Sequence, residues 1–499
     1  MTTGNQGVRR NSGEFDRRIS LHRGRTANWK TSSGFEGMMH KRAQYFRRAV
    51  ASVVMVAVAI SSVMPAAAQG LPLIRDTEIE NLLADYAKPL FQAAGLGSGR
   101  ITMRIVRSDS FNAFVLDGRN VFVHTGALQQ SDTPNQIIGV IAHETGHITG
   151  GHMAALRTRI ARDQTKALLM QLLGIGLMVA GGVSKDQSFG AAGQGVLYGG
   201  NEVVMRSLLS ERRSQEAAAD QAGIKILNAT RQSGRGMLET FERFAQQEYI
   251  GAASQDVFYR SHPVATDRLA RLRQLVERSP YYNQKDSPAL QLRHDMVRAK
   301  LSGYLDRPQV VFNRYPVTDK SLPARYARAI ARFFQGGAGA MESSVAEIDA
   351  LIREQPGNGY FYEVKGDLLM RGGRIAEAIP ALRLSLKMLG DSPLVRVQLA
   401  TALQSGDNPP PAAVSESVSL LRKSLVEDQN PDGYRLLANA FYKQGKGPEA
   451  DAMMAQAHYY GGNIKEAQIF AKRAARHLKS GTPEWIKNDD IINYKPPQT

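Results

Sequence analysis

Between 101 and 128 apolar and polar residues alternate around Asp117-Gly118, in "ITMRIVRSDSFNAFVLDGRNVFVHTGAL". A period of two broken by an Asp-Gly pair predicts a β-hairpin. The period then lengthens. Thr133-Pro134-Asn135-Gln136 reads as a helix start, with Thr133 as N-cap, proline at the first helical position and Gln136 for a capping box. Ile137, Val140 and Ile141 give that helix an apolar face, and "HETGH" (143–147) falls in its middle. Residues 167–200 run from an apolar stretch into a glycine-rich one. This fits a core helix followed by a loop, or a lid or membrane-touching element over a site. Residues 281–322 read as a linker: they carry Pro288, Pro308 and Pro316 and no long periodic segment.

From 323 to 478 the pattern is helical and repetitive. Tyr362, Gly366, Ala378, Leu382 and Pro393 lie near tetratricopeptide positions. Ala400 follows Gly366 by 34 residues, the period of that repeat, and Ala438 follows Ala400 by 38. Such arrays present a concave surface to segments of other proteins. The tail, 479–499, is expected to be poorly ordered.

The N-terminus reads as an address. Lys41, Arg42, Arg47 and Arg48 precede an uncharged apolar run of 16 residues (49–64), and Ala66 and Ala68 fit the small-residue rule for cleavage before Gln69. Residues 38–68 are therefore read as a cleavable signal peptide, and residues 1–37 as a disordered or wrongly annotated leader. An uncleaved anchor is the competing reading, although the run is short for a span of about 20 residues. No later 20-residue apolar span follows, and in a bacterium with an outer membrane the product would be periplasmic.

The net charge of +17 changes little once it is located. Residues 1–68 hold 11 Lys/Arg against 3 Asp/Glu, leaving 52 against 43 for the rest. No basic run is interleaved with aromatics, so no nucleic-acid partner is expected. The chain has no cysteine, which confines any metal to His, Asp or Glu.

His143 and His147 are four apart, about 400° around a helix, and so can present two imidazoles to one zinc ion. Glu144 is offset by about 100° and can reach the open position beside the metal. There it would serve as general base toward a water whose pKa zinc lowers to about 7. His152 looks like a third ligand but lies five residues after His147, one short of the spacing that a glycine turn requires. It reads better as a helix-end or supporting residue. A second helix, 208–227, carries Glu216 and Asp220 on one face. Glu216 can offer a carboxylate to zinc and Asp220 can accept the outer N–H of a ligand histidine. Equally, Glu216 can be one more surface charge beside Glu211, Arg212 and Arg213.

"HETGH" followed by "EAAAD" resembles the zinc metallopeptidases related to the CaaX prenyl protease and the HtpX heat-shock protease, in their soluble, exported branch with C-terminal tetratricopeptide repeats. The likeness covers roughly 75–475. It implies an α+β, mainly α fold: a gluzincin-type metallopeptidase domain of helices plus a small sheet (71–280), then an all-α tetratricopeptide-like solenoid (323–478). It implies zinc on His143, His147 and Glu216, Glu144 as base and Asp220 as supporting acid. It implies that the strand near 120–125 borders the cleft and pairs with an extended substrate. The family's later His-Pro falls on His262-Pro263, where His262 would stabilise the oxyanion or block the open zinc position; otherwise it merely precedes a helix. The expected activity is periplasmic zinc endopeptidase, with misfolded or misassembled envelope proteins as substrates. The repeats would contact outer-membrane assembly machinery, and 167–200 would touch the membrane peripherally. The competing function is a chaperone or assembly-factor scaffold with a silent zinc site.

Overall fold

The computed structural model describes residues 71–97, 101–116, 118–155, 158, 210–245, 258, 261–262, 264 and 266–496. The leader, the signal segment and 167–200 lie outside them, as do Asp117 and Pro263.

The described chain is mostly helical around one four-stranded sheet. Its strands are β1 (Leu73–Ile74), β2 (Thr102–Val106), β3 (Ala113–Val115) and β4 (Asn120–His124), and their order is β1-β2-β4-β3. β3 and β4 pair antiparallel, Ala113 opposite Val123 and Val115 opposite Val121, as the Asp-Gly signal predicts. Gly118 sits in the turn at φ +73°, a conformation that favours glycine. β2 pairs parallel with the other side of β4, Thr102 opposite Asn120. This corrects the expectation for 120–125. With β2 on one side and β3 on the other, β4 has no edge left for a substrate strand. Among the described residues the two edge strands are β1, which pairs only with β2, and β3, which pairs only with β4.

Helix α1 (Thr77–Ala93), short α2 (Thr125–Gln130) and α3 (Pro134–Thr149) follow from clear local signals. Asp76 caps α1 by accepting from the Ile79 N–H at 2.9 Å. Thr133 has the extended backbone of an N-cap, but its side chain makes no cap bond. Gln136 Oε1 accepts instead from the Asp132 N–H at 2.9 Å, one residue earlier than a standard capping box. Ile137, Val140 and Ile141 are buried in the main core with Leu83, Leu90 and Val123.

Against α3 lie α4 (described over 210–229) and α5 (Arg235–Ala245), and α6 (Thr266–Glu277) packs on α5. The glycine of "HETGH" sets how closely α4 approaches. A Cβ on Gly146 would lie 2.6 Å from the Ala219 carbonyl oxygen and 2.9 Å from its Cα. That is backbone, which cannot swing aside. Gly146→Val should push α4 away and carry Glu216 and Asp220 from the histidines. The expected result is a large loss of metal affinity, read by chelator competition. Unchanged affinity would show that the close approach is dispensable.

The expected linker is not one. It contains α7 (Pro288–Leu305) and α8 (Pro308–Arg314), and Pro288 and Pro308 occupy the first helical turns. Ser287 caps α7 by accepting from the Leu290 N–H. Val297 and Leu301 join the main core, while Met296 and Ala299 join a second core with Tyr326, Ile330 and Phe361. Burial on two faces, partly by polar residues, erased the amphipathic signal. His294 Nε2 lies 2.8 Å from the Ser131 carbonyl and Nδ1 lies 3.0 Å from the Tyr86 hydroxyl. Buried Lys300 meets Asp76 at 2.8 Å, Glu363 at 3.2 Å and Glu78 at 3.3 Å.

Five antiparallel helix pairs complete the chain: α9 (Leu322–Gln335) with α10 (Ala340–Glu354), α11 (Gly359–Arg371) with α12 (Ile375–Met388), α13 (Pro393–Gln404) with α14 (Pro411–Glu427), α15 (Pro431–Lys443) with α16 (Gly447–Tyr460), and α17 (Ile464–Ala475) with α18 (Pro483–Asn493). Gly366, Ala400 and Ala438 fall on the first helix of successive pairs, α11, α13 and α15. Leu382 of α12 fills the space over Gly366, 2.6 Å from where a Cβ would be. The tail expected to be poorly ordered instead forms α18, capped by Thr482 and packed through buried Ile491 on Ala467 and Ala471. No described helix is long and apolar enough to cross a membrane.

Candidate metal centre

The close approach of α3 and α4 brings their polar residues together in the core. His143 is fully buried, and Glu144, His147, Glu216, Asp220 and His262 are each less than a tenth exposed. His143 Nε2 and His147 Nε2 are 3.0 Å apart, as the four-residue spacing predicts. Glu216 Oε2 is 3.4 Å from the former and Oε1 is 3.5 Å from the latter. His262 enters from the segment before α6, where its backbone N–H donates to the Phe258 carbonyl and Arg212 of α4 donates to the Ser261 carbonyl at 2.8 Å. Its Nδ1 lies 3.1 Å from Glu216 Oε2 and 3.2 Å from His143 Nε2.

One donor atom from each of His143, His147, Glu216 and His262 therefore falls within 4.8 Å of all the others. Four ligands about 2.0–2.1 Å from a tetrahedral zinc stand about 3.3 Å apart, so the donor set fits a zinc-sized cation. The far sides of the imidazoles agree. His143 Nδ1 lies 2.9 Å from Asp220 Oδ1, and His147 Nδ1 lies 2.9 Å from His152 Nδ1. With protons on both Nδ1 atoms, the two Nε2 lone pairs face each other and demand positive charge between them.

Without a metal, burial and the neighbouring charges perturb these groups in opposite directions. Burial alone would lower the His143 pKa, but hydrogen bonds and charge from Asp220 and Glu216 raise it to about 9. His147 is lowered, chiefly by burial. Burial pushes the Glu216 carboxyl up, yet the surrounding histidines hold it well below the usual range. Asp220 is also lowered against its burial, first by Arg268 and then by His143.

No local pattern in the sequence singles out Arg268. It lies in the first turn of α6, buried, with Nε 2.7 Å from Asp220 Oδ2, Nη2 2.8 Å from Asp220 Oδ1 and Nη1 2.9 Å from Glu216 Oε2. Its guanidinium also lies over the Phe241 ring, 4.8 Å from the centroid. The only available signal was that two carboxylates on one buried face need a cation. Composition offered Arg212, Arg213, Arg268 and Arg271 without choosing among them.

Besides His143 Nδ1, which approaches Asp220 Oδ1 without an aligned hydrogen bond, two buried polar atoms of the site make no hydrogen bond: Glu144 Oε1 and His262 Nε2. They lie 3.3 Å apart, beside the donor cluster. His152 is not among the clustered donors; it stands behind His147.

Residues 74–276 match the family model described as Peptidase family M48. This stretch is a Peptidase family M48 domain. The M48 domain holds every residue of the cluster, and it makes the chain a metallopeptidase homologue. The chain is similar to the β-barrel assembly-enhancing protease of Yersinia pestis, 24% identical over 440 residues that cover 85% of this chain and 84% of that protein. It is 22% identical over 432 residues to the protein of the same name in Escherichia coli (strain K12), with the same two coverages. The metalloprotease LoiP of that strain is 26% identical over 195 residues, covering 38% of this chain and 70% of its own length. The long matches therefore extend well beyond the M48 domain into the helix pairs.

Proposed function

We propose that the protein is a zinc-dependent endopeptidase of gluzincin type. One observation carries this reading: His143, His147 and Glu216, from two helices, converge beside a carboxylate, Glu144, whose buried Oε1 makes no hydrogen bond. His143, His147 and Glu216 would hold the metal, and Asp220, clamped by Arg268, would keep His143 in the tautomer that presents Nε2. Zinc bound there would polarise the scissile carbonyl and acidify water. Glu144 would take the proton of the attacking water and deliver it to the leaving amine. The β3 edge is the edge that suits an extended substrate, through main-chain hydrogen bonds. Cleavage of casein by the purified protein should vanish with a chelator and return with added zinc. Cleavage that a chelator leaves untouched would end this reading.

His262 fits a resting-state block better than an oxyanion donor. Its Nδ1 stands among the metal donors and its Nε2 faces Glu144 at 3.3 Å, the space that water and substrate need. His262→Ala should retain zinc and cleave several-fold faster than wild type. A fall in turnover with zinc retained would assign His262 to the reaction instead. The same observation keeps a second reading in view: an assembly factor whose blocked site is silent. Zinc-replete protein that cleaves nothing, with or without His262, would favour it.

The helix pairs are read as a tetratricopeptide-like solenoid (323–478) that recruits substrates, next to a peptidase unit (71–280) exported to the periplasm by the 38–68 signal. The relatives' name and their coverage of the repeats support misassembled envelope proteins as substrates and the outer-membrane assembly machinery as partner.

A further inference from the structure

His152 is too close in sequence to be a metal ligand, and the structure shows what that spacing achieves. Helix α3 ends at Thr149, with Gly150 as its C-cap at φ −74°. Gly151, at φ +64°, reverses the chain into a helical turn over 152–155. The His152 ring folds back over Gly150, where a Cβ would lie 2.4 Å from His152 Nε2. The ring thereby meets His147 edge-on, with centroids 5.0 Å apart and planes at 79°. The two Nδ1 atoms are 2.9 Å apart.

A neutral imidazole carries its proton on one nitrogen and a lone pair on the other. His147 Nε2 faces His143 Nε2 and Glu216 Oε1. If that lone pair is to serve a metal, the His147 proton must sit on Nδ1 and needs an acceptor. Asp220 fills this role for His143. For His147 the group in position is an imidazole.

We propose that His152 is a positioning residue of the metal centre: its Nδ1 accepts the Nδ1 proton of His147 and so aims the His147 Nε2 lone pair at the metal. Gly150 and Gly151 are the backbone features that seat the ring. This rests on the metal-centre reading above. The two ligand histidines then have different supports, a carboxylate locked by Arg268 and a neutral ring at a helix end.

The test is zinc affinity by chelator competition on the purified full chain, with melting of the metal-free protein as a fold control. His152→Ala should weaken zinc binding about 10–100-fold, the usual effect of removing such a support, and leave the metal-free melting temperature unchanged. His152→Asn should bind nearly as wild type, because its Oδ1 takes the place of Nδ1 as acceptor. Gly150→Ala should behave like His152→Ala: its backbone suits alanine, but the new Cβ displaces the ring. Wild-type affinity in His152→Ala, or a loss in His152→Asn as large as in His152→Ala, would overturn the proposal. His143→Ala separates the two levels. It must abolish tight binding, and if it does not, the metal-centre reading itself fails.

Discussion

Glu144→Gln should abolish peptide cleavage while leaving zinc binding and folding intact. The carboxylate is 2% exposed, and its Oε1 has no hydrogen-bond partner. Glutamine matches it in shape but cannot accept a proton. General-base assistance contributes about 10²–10⁴-fold, so cleavage of casein should fall by that factor. Metal content should not change, because Glu144 is not among the clustered donors. Cleavage by the variant within about tenfold of wild type, short of the effect expected of a base, would remove Glu144 from that role.

Arg268→Met should be the most damaging single change to the metal-free protein. The guanidinium binds Asp220 through two bonds and Glu216 through a third contact, and both carboxylates are almost fully buried. Removing one partner of a buried ion pair costs about 3–5 kcal/mol, because the remaining charge is stranded. Zinc places positive charge against Glu216, so the zinc-loaded variant should recover part of that loss. A wild-type melting temperature for the metal-free variant would refute this account. The pH dependence has a definite sign. Asp220 and Glu216 are held below their ordinary values in the fold. They add stability that is complete above the usual carboxylate range and is lost as pH falls from there through their lowered folded values. Without Arg268 that contribution shrinks, so the variant should lose less stability than wild type on acidification.

The residues of the site were legible wherever they lie on one regular element. His143 and His147 share a helix face because four residues make nearly one turn, and Glu216 and Asp220 share another for the same reason. The β3–β4 hairpin was legible in its Asp-Gly turn. What joins the elements was not. Gly146 looks like any helix glycine until Ala219 is seen against it. Arg268 comes from a third helix, and its partners lie 48 and 52 residues away in the chain. His262 was suggested by family likeness rather than by local pattern. Helix α7 escaped because it buries Lys300 and His294 among its apolar residues, which hid its periodicity, and because prolines that open helices looked like linker residues. The order of the sheet, which puts β4 inside and leaves the edges to β1 and β3, depends on a parallel pairing that alternation cannot reveal.

The central claim is that the ligand missing from "HETGH" comes from the second helix, at Glu216. The most direct measurement is the zinc content of purified wild type and Glu216→Ala after equal dialysis. The account predicts one zinc per wild-type chain and almost none in the variant. A full equivalent of zinc retained by Glu216→Ala would contradict it.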